Sequence, residues 1–539
     1  MTYYIFVTGG VLSSLGKGIA ASSIGALLQA RGYKVRLRKM DPYINIDPGT
    51  MNPYQHGEVF VTNDGAETDM DIGHYERFTG VDGRKSDTIT TGQIYLDVIE
   101  RERRGEYLGG TVQVIPHITN RIKEFISFHE EGLDFLITEV GGTVGDIESL
   151  PFIESLRQFS NEVGRKKSLF IHLTLLPYIA TTGELKTKPT QHSVKELLSY
   201  GIQPDILLCR SEKPMSEDER KKLSLFCNLS EDRVLSALDV ESIYQVPLTL
   251  HNQYLDREIL SYFNIEEKQK PDLKNWKKFI EGQKNLKHTI RVGIIGKYIS
   301  LQDAYKSIHE ALVHSGVQSH TRVQVQWIDA DSLDKRNYEK KLSDLHGILV
   351  PGGFGARGVE GKMLAAQYAR EKKIPFFGIC FGLQLSLLEI ARHVVGMKDA
   401  GSTEMGKTKI PLIGLMSEWE RDGKTETRTE ESDKGGTMRL GSYPCCLQEK
   451  TKAHDAYQKM IVQERHRHRY EVNIKYKEDL EKGGVVFSGM SPDGKLPEII
   501  ELKDHPWFVA VQFHPELKSR PFDPHPLFVA FVRASLKRK

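Results

Sequence analysis

Val7-Thr8-Gly9-Gly10-Val11-Leu12-Ser13-Ser14-Leu15-Gly16-Lys17-Gly18 is the stretch on which the fold turns. An apolar run, Tyr3 to Val7, precedes it, and a helix-like run, Ile19 to Arg31, follows. Strand, glycine-rich turn and helix in that order are the arrangement of a P-loop. Backbone N–H groups of such a turn converge on phosphate oxygens, and the helix N-terminus adds positive potential. Lys17 would reach the outer phosphates. Two positions depart from the usual pattern: Val11 stands where a glycine is expected, and Gly18 follows the lysine where Ser or Thr is expected. Without that hydroxyl, the Mg²⁺ that accompanies a nucleoside triphosphate must be held by carboxylates, so acids at the ends of later strands become the candidates.

The chain has 539 residues, enough for two or three domains with their own cores. Charged residues make up 27% and apolar ones 39%, an ordinary globular composition, and the net charge of +2 argues against a nucleic-acid binder. Five cysteines at no metal-ligand spacing point to a reducing compartment rather than a disulfide framework. No signal peptide and no run of eighteen apolar residues is seen, so the expectation is a cytoplasmic enzyme or nucleotide switch with no membrane partner.

Lys34 to Tyr43 reads as a second strand ending in a Pro turn. A poorly periodic segment follows, Asn45 to Phe60, and then acids crowd into Glu67 to Asp71 and Glu76. Aromatic residues within this region argue against disorder. Phe135 to Ile137 is a buried strand with Glu139 at its carboxyl end, followed by Gly141-Gly142-Thr143-Val144-Gly145-Asp146-Ile147-Glu148. That strand end is where a P-loop protein keeps its metal-side acid. Glu139, with one of Asp69 and Asp71, would supply the Mg²⁺ ligands that Gly18 cannot, since Mg²⁺ takes few protein oxygens and completes its octahedron with phosphates and water. Ser168 to Leu175, Pro204 to Leu208 and Arg233 to Leu238 complete a mostly parallel sheet. The polar loop Thr181 to Gln191, with two lysines, suits a second phosphorylated ligand. Residues 266–289 carry many Lys, Glu and Asp and read as a linker, partly helical, between domains at 1–265 and 290–539.

Arg291 to Ile295 opens a second α/β domain, with a helix from about Asp303 to His314. Gly378-Ile379-Cys380-Phe381-Gly382 has the G-x-nucleophile-x-G spacing of a nucleophile elbow. Its glycines allow a tight strand-to-helix turn, the helix N-terminus favours a thiolate, and the Phe381 N–H can serve an oxyanion hole, with Gly353 of Pro351-Gly352-Gly353 as the second donor. Val509 to Phe513 then leads to His514, with Glu516 two residues on to orient it. Cys380, His514 and Glu516 make a nucleophilic triad. Gly401 to Gly436, rich in charge, reads as a lid. In the run Arg465 to Glu471, too short for a nucleic-acid patch, one arginine would bind a substrate carboxylate.

Taken in order, Val7 to Ala20, Lys39 to Tyr43, the Glu67 to Gly73 acids, Glu139 to Glu148 and Lys186-Thr187-Lys188-Pro189-Thr190-Gln191 resemble the CTP synthase family. The second half is similar to a class I glutamine amidotransferase. The resemblance implies an α/β fold class: two doubly wound domains, an N-terminal P-loop amidoligase similar to dethiobiotin synthetase and a C-terminal class I glutaminase. It implies a reaction in which ATP phosphorylates O4 of UTP and ammonia from glutamine displaces the phosphate, giving CTP. By the same resemblance ATP is held by Ser14, Leu15, Gly16, Lys17, Gly18, Ile19, Asp71 and Val240, and Mg²⁺ by Asp71 and Glu139. UTP or inhibitory CTP is held by Ser13, Asp146, Ile147, Glu148, Lys186, Thr187, Lys188, Pro189, Thr190, Gln191 and Lys222. Glutamine is held by Gly353, Phe381, Gly382, Leu383, Gln384, Glu404 and Arg469. GTP as activator, a homotetramer, and an ammonia path past Pro53, His56 and Val59 are also implied. The alternatives are a cobyrinic acid amide synthase, which the triad and the Lys186 loop disfavour, a GMP synthase, whose glutaminase would come first, and a ParA-like NTPase switch, whose early P-loop lysine is missing.

Overall fold

The structure, a computed structural model, describes residues 2–415, 418–421, 424–427 and 439–538, with backbone alone at 418–421 and 424–427. It forms two compact units, Met1–Pro48 with Asp71–Ile280, and Gly49–Met70 with Glu281–Lys539.

The first unit is built on a seven-stranded sheet, all parallel. In spatial order its strands are Val234–Leu238, Ile206–Ser211, Ser168–Leu175, Tyr3–Gly9, Phe135–Val140, Val35–Asp41 and Thr88–Thr90. Central parallel strands are covered on both faces and so read as continuous apolar runs. Phe135–Val140 is buried at every position and Tyr3–Gly9 at all but its first. The order reverses at Tyr3–Gly9, with neighbours from later in the chain on both sides, and at such a switch point the crevice at the carboxyl ends of the strands is open to a ligand. The P-loop leaves the sheet at that point and runs into the helix Lys17–Ala30.

The stretch 266–280 folds with this unit. Arg31 bonds Asp256 at 2.6 Å and Glu267 at 2.8 Å, and Trp276, on the helix Lys274–Lys284, stacks near Phe78 and Tyr244. By contacts, 266–280 thus groups with the first unit and Gly49–Met70 with the second.

The second unit carries a nine-stranded sheet. Thr321–Asp329, His288–Gly296, Gly347–Val350, Phe376–Ile379 and Phe508–Val511 are parallel, and Pro497–Leu502, Val485–Met490, Arg439–Leu447 and Ile461–His468 continue it antiparallel. The edge strand Thr321–Asp329 alternates, with Arg322, Gln324 and Gln326 exposed, as a one-sided edge should. The helix after the elbow, Phe381–Ile390, is buried at all ten positions. Both sheet faces are packed, one against Leu385, Leu388 and Phe508, the other against Phe377, Phe528 and Phe531.

Gly49–Met70 belongs to this unit through polar contacts that no local pattern announces. Ser307 N–H donates to Glu58 at 2.8 Å, Tyr54 OH donates to the Lys297 carbonyl at 3.1 Å, and Arg465 Nε donates to Asn63 at 2.7 Å. Of the stretch read as a lid, 401–436, the strand Ile410–Leu415 pairs with Ala400–Ser402 and Tyr470–Val472, and Glu418–Arg421 pairs with Lys424–Thr427. Residues 416–417, 422–423 and 428–436 of it lie outside the described residues.

Candidate active sites

The P-loop of the first unit holds Val11, Ser14 and Gly16 at φ of 82°, 60° and 91°. Left-handed backbone at these positions lets a turn of this kind gather N–H groups for an anion. Lys17 folds back across Gly9, where a Cβ would lie 2.7 Å from its Cδ, and its Nζ donates to the Gly142 carbonyl at 2.6 Å. Burial pulls Lys17 below its ordinary range, against Glu139, which raises it.

Gly18 has a steric reason to be glycine. A Cβ there would lie 2.0 Å from Asp71 Oδ1. The carboxylate thus occupies the space beside the residue that usually carries the hydroxyl. Asp71 ion-pairs with Lys39, which also lies 3.4 Å from Glu139 and 3.5 Å from Asp41. Tyr75 OH donates to the other oxygen of Glu139. Burial and the neighbouring Asp71 push Glu139 up, whereas at Asp71 burial is outweighed by Lys39, His74 and Lys17 together, which hold it down. Two carboxylates coupled in this way would suit a shared cation. Among the described residues no group of three or more His, Cys, Asp or Glu is arranged to hold a metal. A two-carboxylate set fits Mg²⁺ shared with phosphates and does not fit a metal caged by protein alone.

Beside Gly16 lies a cavity of about 240 Å³ lined by Leu15, Ile19, Leu238, Val240, Ile243 and Leu250 among others. It is apolar enough for a base, and it joins Val240 to the P-loop. On the other side of the turn an open cavity of about 650 Å³ is lined by Val11, Gly145, Lys188, Pro189, His192, Ser193 and Glu196. His172 bridges Thr8 and Ser193 beneath the loop, 2.8 Å from each, and a Cβ on Gly10 would collide with Ser193 Oγ.

The residues expected at a second nucleotide are only partly gathered. Lys188 and Pro189 line the open cavity. Lys186 pairs with Glu184 at 2.6 Å, and Lys222 acts on that same carboxylate from the helix Glu217–Cys227. Thr190 Oγ1 is buried and bonded to Thr174 and the Leu175 carbonyl, and Gln191 donates to Thr187 Oγ1. Asp146, Ile147 and Glu148 are exposed, Ile147 to 82%. The structure does not bring them into the cavity with Lys188.

In the second unit Cys380 sits on the turn between Phe376–Ile379 and Phe381–Ile390 with φ 52° and ψ −103°. A non-glycine residue there is strained, and the surroundings hold it. Its N–H donates to the Val511 carbonyl at 2.7 Å. The flanking glycines pack back to back: a Cβ on Gly382 would lie 2.2 Å from the Val350 carbonyl, and one on Gly378 would lie 3.0 Å from Gly382. His514 Nδ1 is 2.7 Å from Glu516, which leaves Nε2 buried and, among the described residues, without a hydrogen-bond partner. A Cβ on Gly352 would lie 3.0 Å from His514 Cε1 and 3.6 Å from Cys380 Cβ, so the imidazole, the thiol and this turn meet at one point. Burial lowers His514, but Glu516 and Cys380 outweigh it and hold the imidazole up at about 10.

Glu404 accepts from the Gly355 N–H at 2.7 Å. The three arginines of the basic run differ. Arg465 is engaged with Asn63, and Arg467 donates to Glu67 at 2.6 Å and to the Gly49 carbonyl at 2.9 Å, whereas Arg469 Nε is buried without a partner among the described residues. Gln384 spends its amide on the Tyr470 carbonyl and Gln512, and the Leu383 side chain is core, so Leu383 can face a ligand through its backbone alone. Pro53 and Val59, but not His56, line a cavity of about 210 Å³ together with Glu58, Gly353, Cys380 and His514.

The sequence assigns no site role to Lys39, which it gives only as the start of the motif Lys39 to Tyr43, nor to Tyr75, Lys297 and Lys362. Only Lys39 had a signal, a charge closing a buried strand. The others are recognised by whom they touch.

A P-loop unit with paired carboxylates, joined in one chain to a cysteine glutaminase unit, defines a glutamine-dependent amidoligase. Residues 3–265 match the family model "CTP synthase N-terminus" and residues 300–534 match "Glutamine amidotransferase class-I". A CTP synthase of Azospirillum brasilense is 59% identical over 541 residues, covering 100% of this chain and 99% of that one. One of Zymomonas mobilis is 58% identical over 540 residues, with 100% and 99% covered. Among solved structures, the glutaminase domain of a Trypanosoma brucei CTPS with bound acivicin is 35% identical, covers 46% of this chain and 95% of that one, and has a TM-score of 0.42. The chain belongs to the CTP synthase family.

Proposed function

We infer that the protein aminates UTP to CTP with ATP as co-substrate and glutamine as nitrogen donor, serving pyrimidine nucleotide biosynthesis. The observation that carries the reading is the coexistence of two sites in one chain: the elbow Cys380 meeting His514 and Glu516, and a P-loop whose Gly18 makes room for Asp71.

In the glutaminase unit, His514 holds the proton of the Cys380 thiol, and the thiolate adds to the glutamine carboxamide. The N–H groups of Phe381 and Gly353 receive the oxyanion. His514 gives its proton to the departing nitrogen, ammonia leaves, and water cleaves the thioester to glutamate. Glu516 keeps the imidazole in the orientation that presents Nε2 to sulfur. Arg469, with its free Nε, and Glu404 are suited to the carboxylate and ammonium of glutamine.

In the nucleotide unit the P-loop N–H groups and Lys17 orient the triphosphate, and the cavity at Val240 takes the adenine. Asp71 and Glu139 would hold Mg²⁺, which when bound offsets the charge on the transferring phosphoryl group. The uracil O4 accepts that phosphoryl group, and ammonia then displaces phosphate. Lys186 to Gln191, Ser13 and Lys222 are assigned to UTP, and Asp146 to Glu148 to feedback by CTP. GTP activation, a homotetramer and a cytoplasmic setting complete the proposal; among the described residues no helix is long and apolar enough to cross a membrane.

The test follows CTP by absorbance with either glutamine or ammonia supplied. Cys380→Ala should lose the glutamine-dependent reaction and keep the ammonia-dependent one. CTP formation from neither nitrogen source in the unsubstituted protein would refute the proposal.

A further inference from the structure

Two buried ammonium groups stand beside the elbow without a part in the triad. Lys362, on the helix Val359–Glu371, is fully buried; its Nζ donates to the Pro351 carbonyl at 3.1 Å and lies 5.3 Å from the centre of the Phe381 ring. Lys297 is 3% exposed; its Nζ donates to the Phe354 carbonyl at 2.6 Å and the Gly355 carbonyl at 3.0 Å, and lies 5.4 Å from the same ring. Among the described residues neither makes an ion pair with a carboxylate. Burying an ammonium this way is strongly unfavourable, so the arrangement calls for a function that offsets it.

All three acceptors are carbonyls of one turn, Pro351 to Gly355. A turn that presents N–H groups inward has to send its carbonyls outward, and a buried carbonyl needs a donor. The two ammonium groups supply those donors. A Cβ on Gly353 would lie 3.6 Å from Lys362 Nζ and 4.0 Å from Lys297 Cε, so both side chains lie against Gly353. Glu404 takes the Gly355 N–H and closes the outer end of the turn. On the elbow side the same two groups flank Phe381, whose N–H is the other oxyanion donor.

We propose that Lys362 and Lys297 are positioning residues for glutamine hydrolysis, holding the Pro351–Gly355 turn by its carbonyls so that the Gly353 N–H joins that of Phe381 on the oxyanion. The proposal rests on the glutaminase reading of Cys380. Electrostatics act in the same direction. Burial and Lys297 push Lys362 down to about 7, and Cys380 opposes them, so negative charge arising at the elbow favours the ammonium form. Positive charge that is better satisfied once the oxyanion forms lowers the barrier and not the ground state.

The experiment uses the full chain carrying Lys362→Met or, separately, Lys297→Met. Four readouts are taken: kcat and KM for glutamine hydrolysis, inhibition by glutamate γ-semialdehyde, the rate of Cys380 alkylation by iodoacetamide followed by peptide mass, and ammonia-dependent CTP synthesis. The semialdehyde adds the thiol and leaves its oxygen at the oxyanion position, whereas iodoacetamide only displaces iodide and needs no oxyanion donors. We expect kcat to fall about 10-fold or more, toward the 10²–10³ of a lost oxyanion donor. KM should stay within about twofold, as for an interaction made only in the transition state. Semialdehyde affinity should fall in step with kcat, while alkylation and ammonia-dependent synthesis hold. Unchanged kcat in both variants, or alkylation falling as far as kcat, would overturn the proposal. Lys297→Met keeps the test open if Lys362→Met does not accumulate as folded protein. Failure of the unsubstituted protein to hydrolyse glutamine would instead strike the glutaminase reading itself.

Discussion

Gly18→Ala is the substitution on which the nucleotide site can be judged. The added Cβ would lie 2.0 Å from Asp71 Oδ1, 2.6 Å from Cγ and 3.2 Å from Cβ. Aspartate is too short to yield that space while keeping its ion pair with Lys39. Overpacking of this kind costs about 1–3 kcal/mol. If the strain is relieved by expelling the carboxylate from beside Glu139, the same energy is lost from Mg²⁺–ATP binding, a factor of about 5 to 150 at 1.36 kcal/mol per decade. The assay is CTP formation with external ammonia, titrated with Mg²⁺ at fixed ATP and UTP, with glutamine hydrolysis measured in parallel. The Mg²⁺ midpoint should rise by that factor, with glutamine hydrolysis retained. Gly18→Ser should behave the same way, although it restores the usual P-loop hydroxyl, because the collision is with Cβ. A Gly18→Ala protein with an unchanged rate and Mg²⁺ midpoint would refute both the contact and the role given to Asp71.

Three further outcomes are expected. Glu516→Gln removes the charge that holds His514 at about 10, so the imidazole pKa falls and the thiolate–imidazolium pair is lost from its alkaline side. Alkylation of Cys380 at neutral pH should then drop and recover only at more alkaline pH, and an alkylation–pH profile unchanged from the parent would contradict this. His172 is pushed down to about 3 by burial first and Lys17 second, from an ordinary 6.5. A depressed histidine takes up its proton on unfolding, so the stability it contributes is present above pH 6.5 and is lost as the pH falls toward 3. His172→Gln should make thermal stability less steep across that window, and an identical acid slope would count against the neutral bridge between Thr8 and Ser193. Val59→Phe fills part of the cavity of about 210 Å³ that holds Cys380; glutamate formed per CTP should rise above one, and a retained one-to-one ratio would remove Val59 from the ammonia path.

What was legible in the sequence was whatever local chemistry dictates. Ser168–Leu175 is a strand over the same residues that its apolar run marks, and Tyr3–Gly9 and Phe135–Val140 read as buried parallel strands because both their faces are covered. Gly378 and Gly382 around Cys380, and His514 with Glu516 two residues on, are short-range patterns, since a tight turn and an adjacent orienting acid are set by neighbours in the chain. The need for a carboxylate to replace the missing P-loop hydroxyl also followed from residue 18 alone.

The tertiary structure decided which carboxylate stands beside Gly18, and why. Asp71 and Asp69 are equivalent by spacing, but the atoms at Gly18 belong to Asp71. It also divided the acidic cluster: Glu67 is buried against Arg467, 400 residues away, and Glu76 accepts from the Gly83 N–H, so neither is a solvated face. Gly49–Met70 joins the second unit through Glu58, Asn63 and Glu67. Lys297 and Lys362 sit in ordinary-looking strand-end and helix contexts, and their meaning lies in the carbonyls they reach. A propensity or a period reports the neighbours within a turn or two of chain, whereas a partner for a buried charge is found wherever the folded chain happens to bring one, and only the packed molecule contains that information.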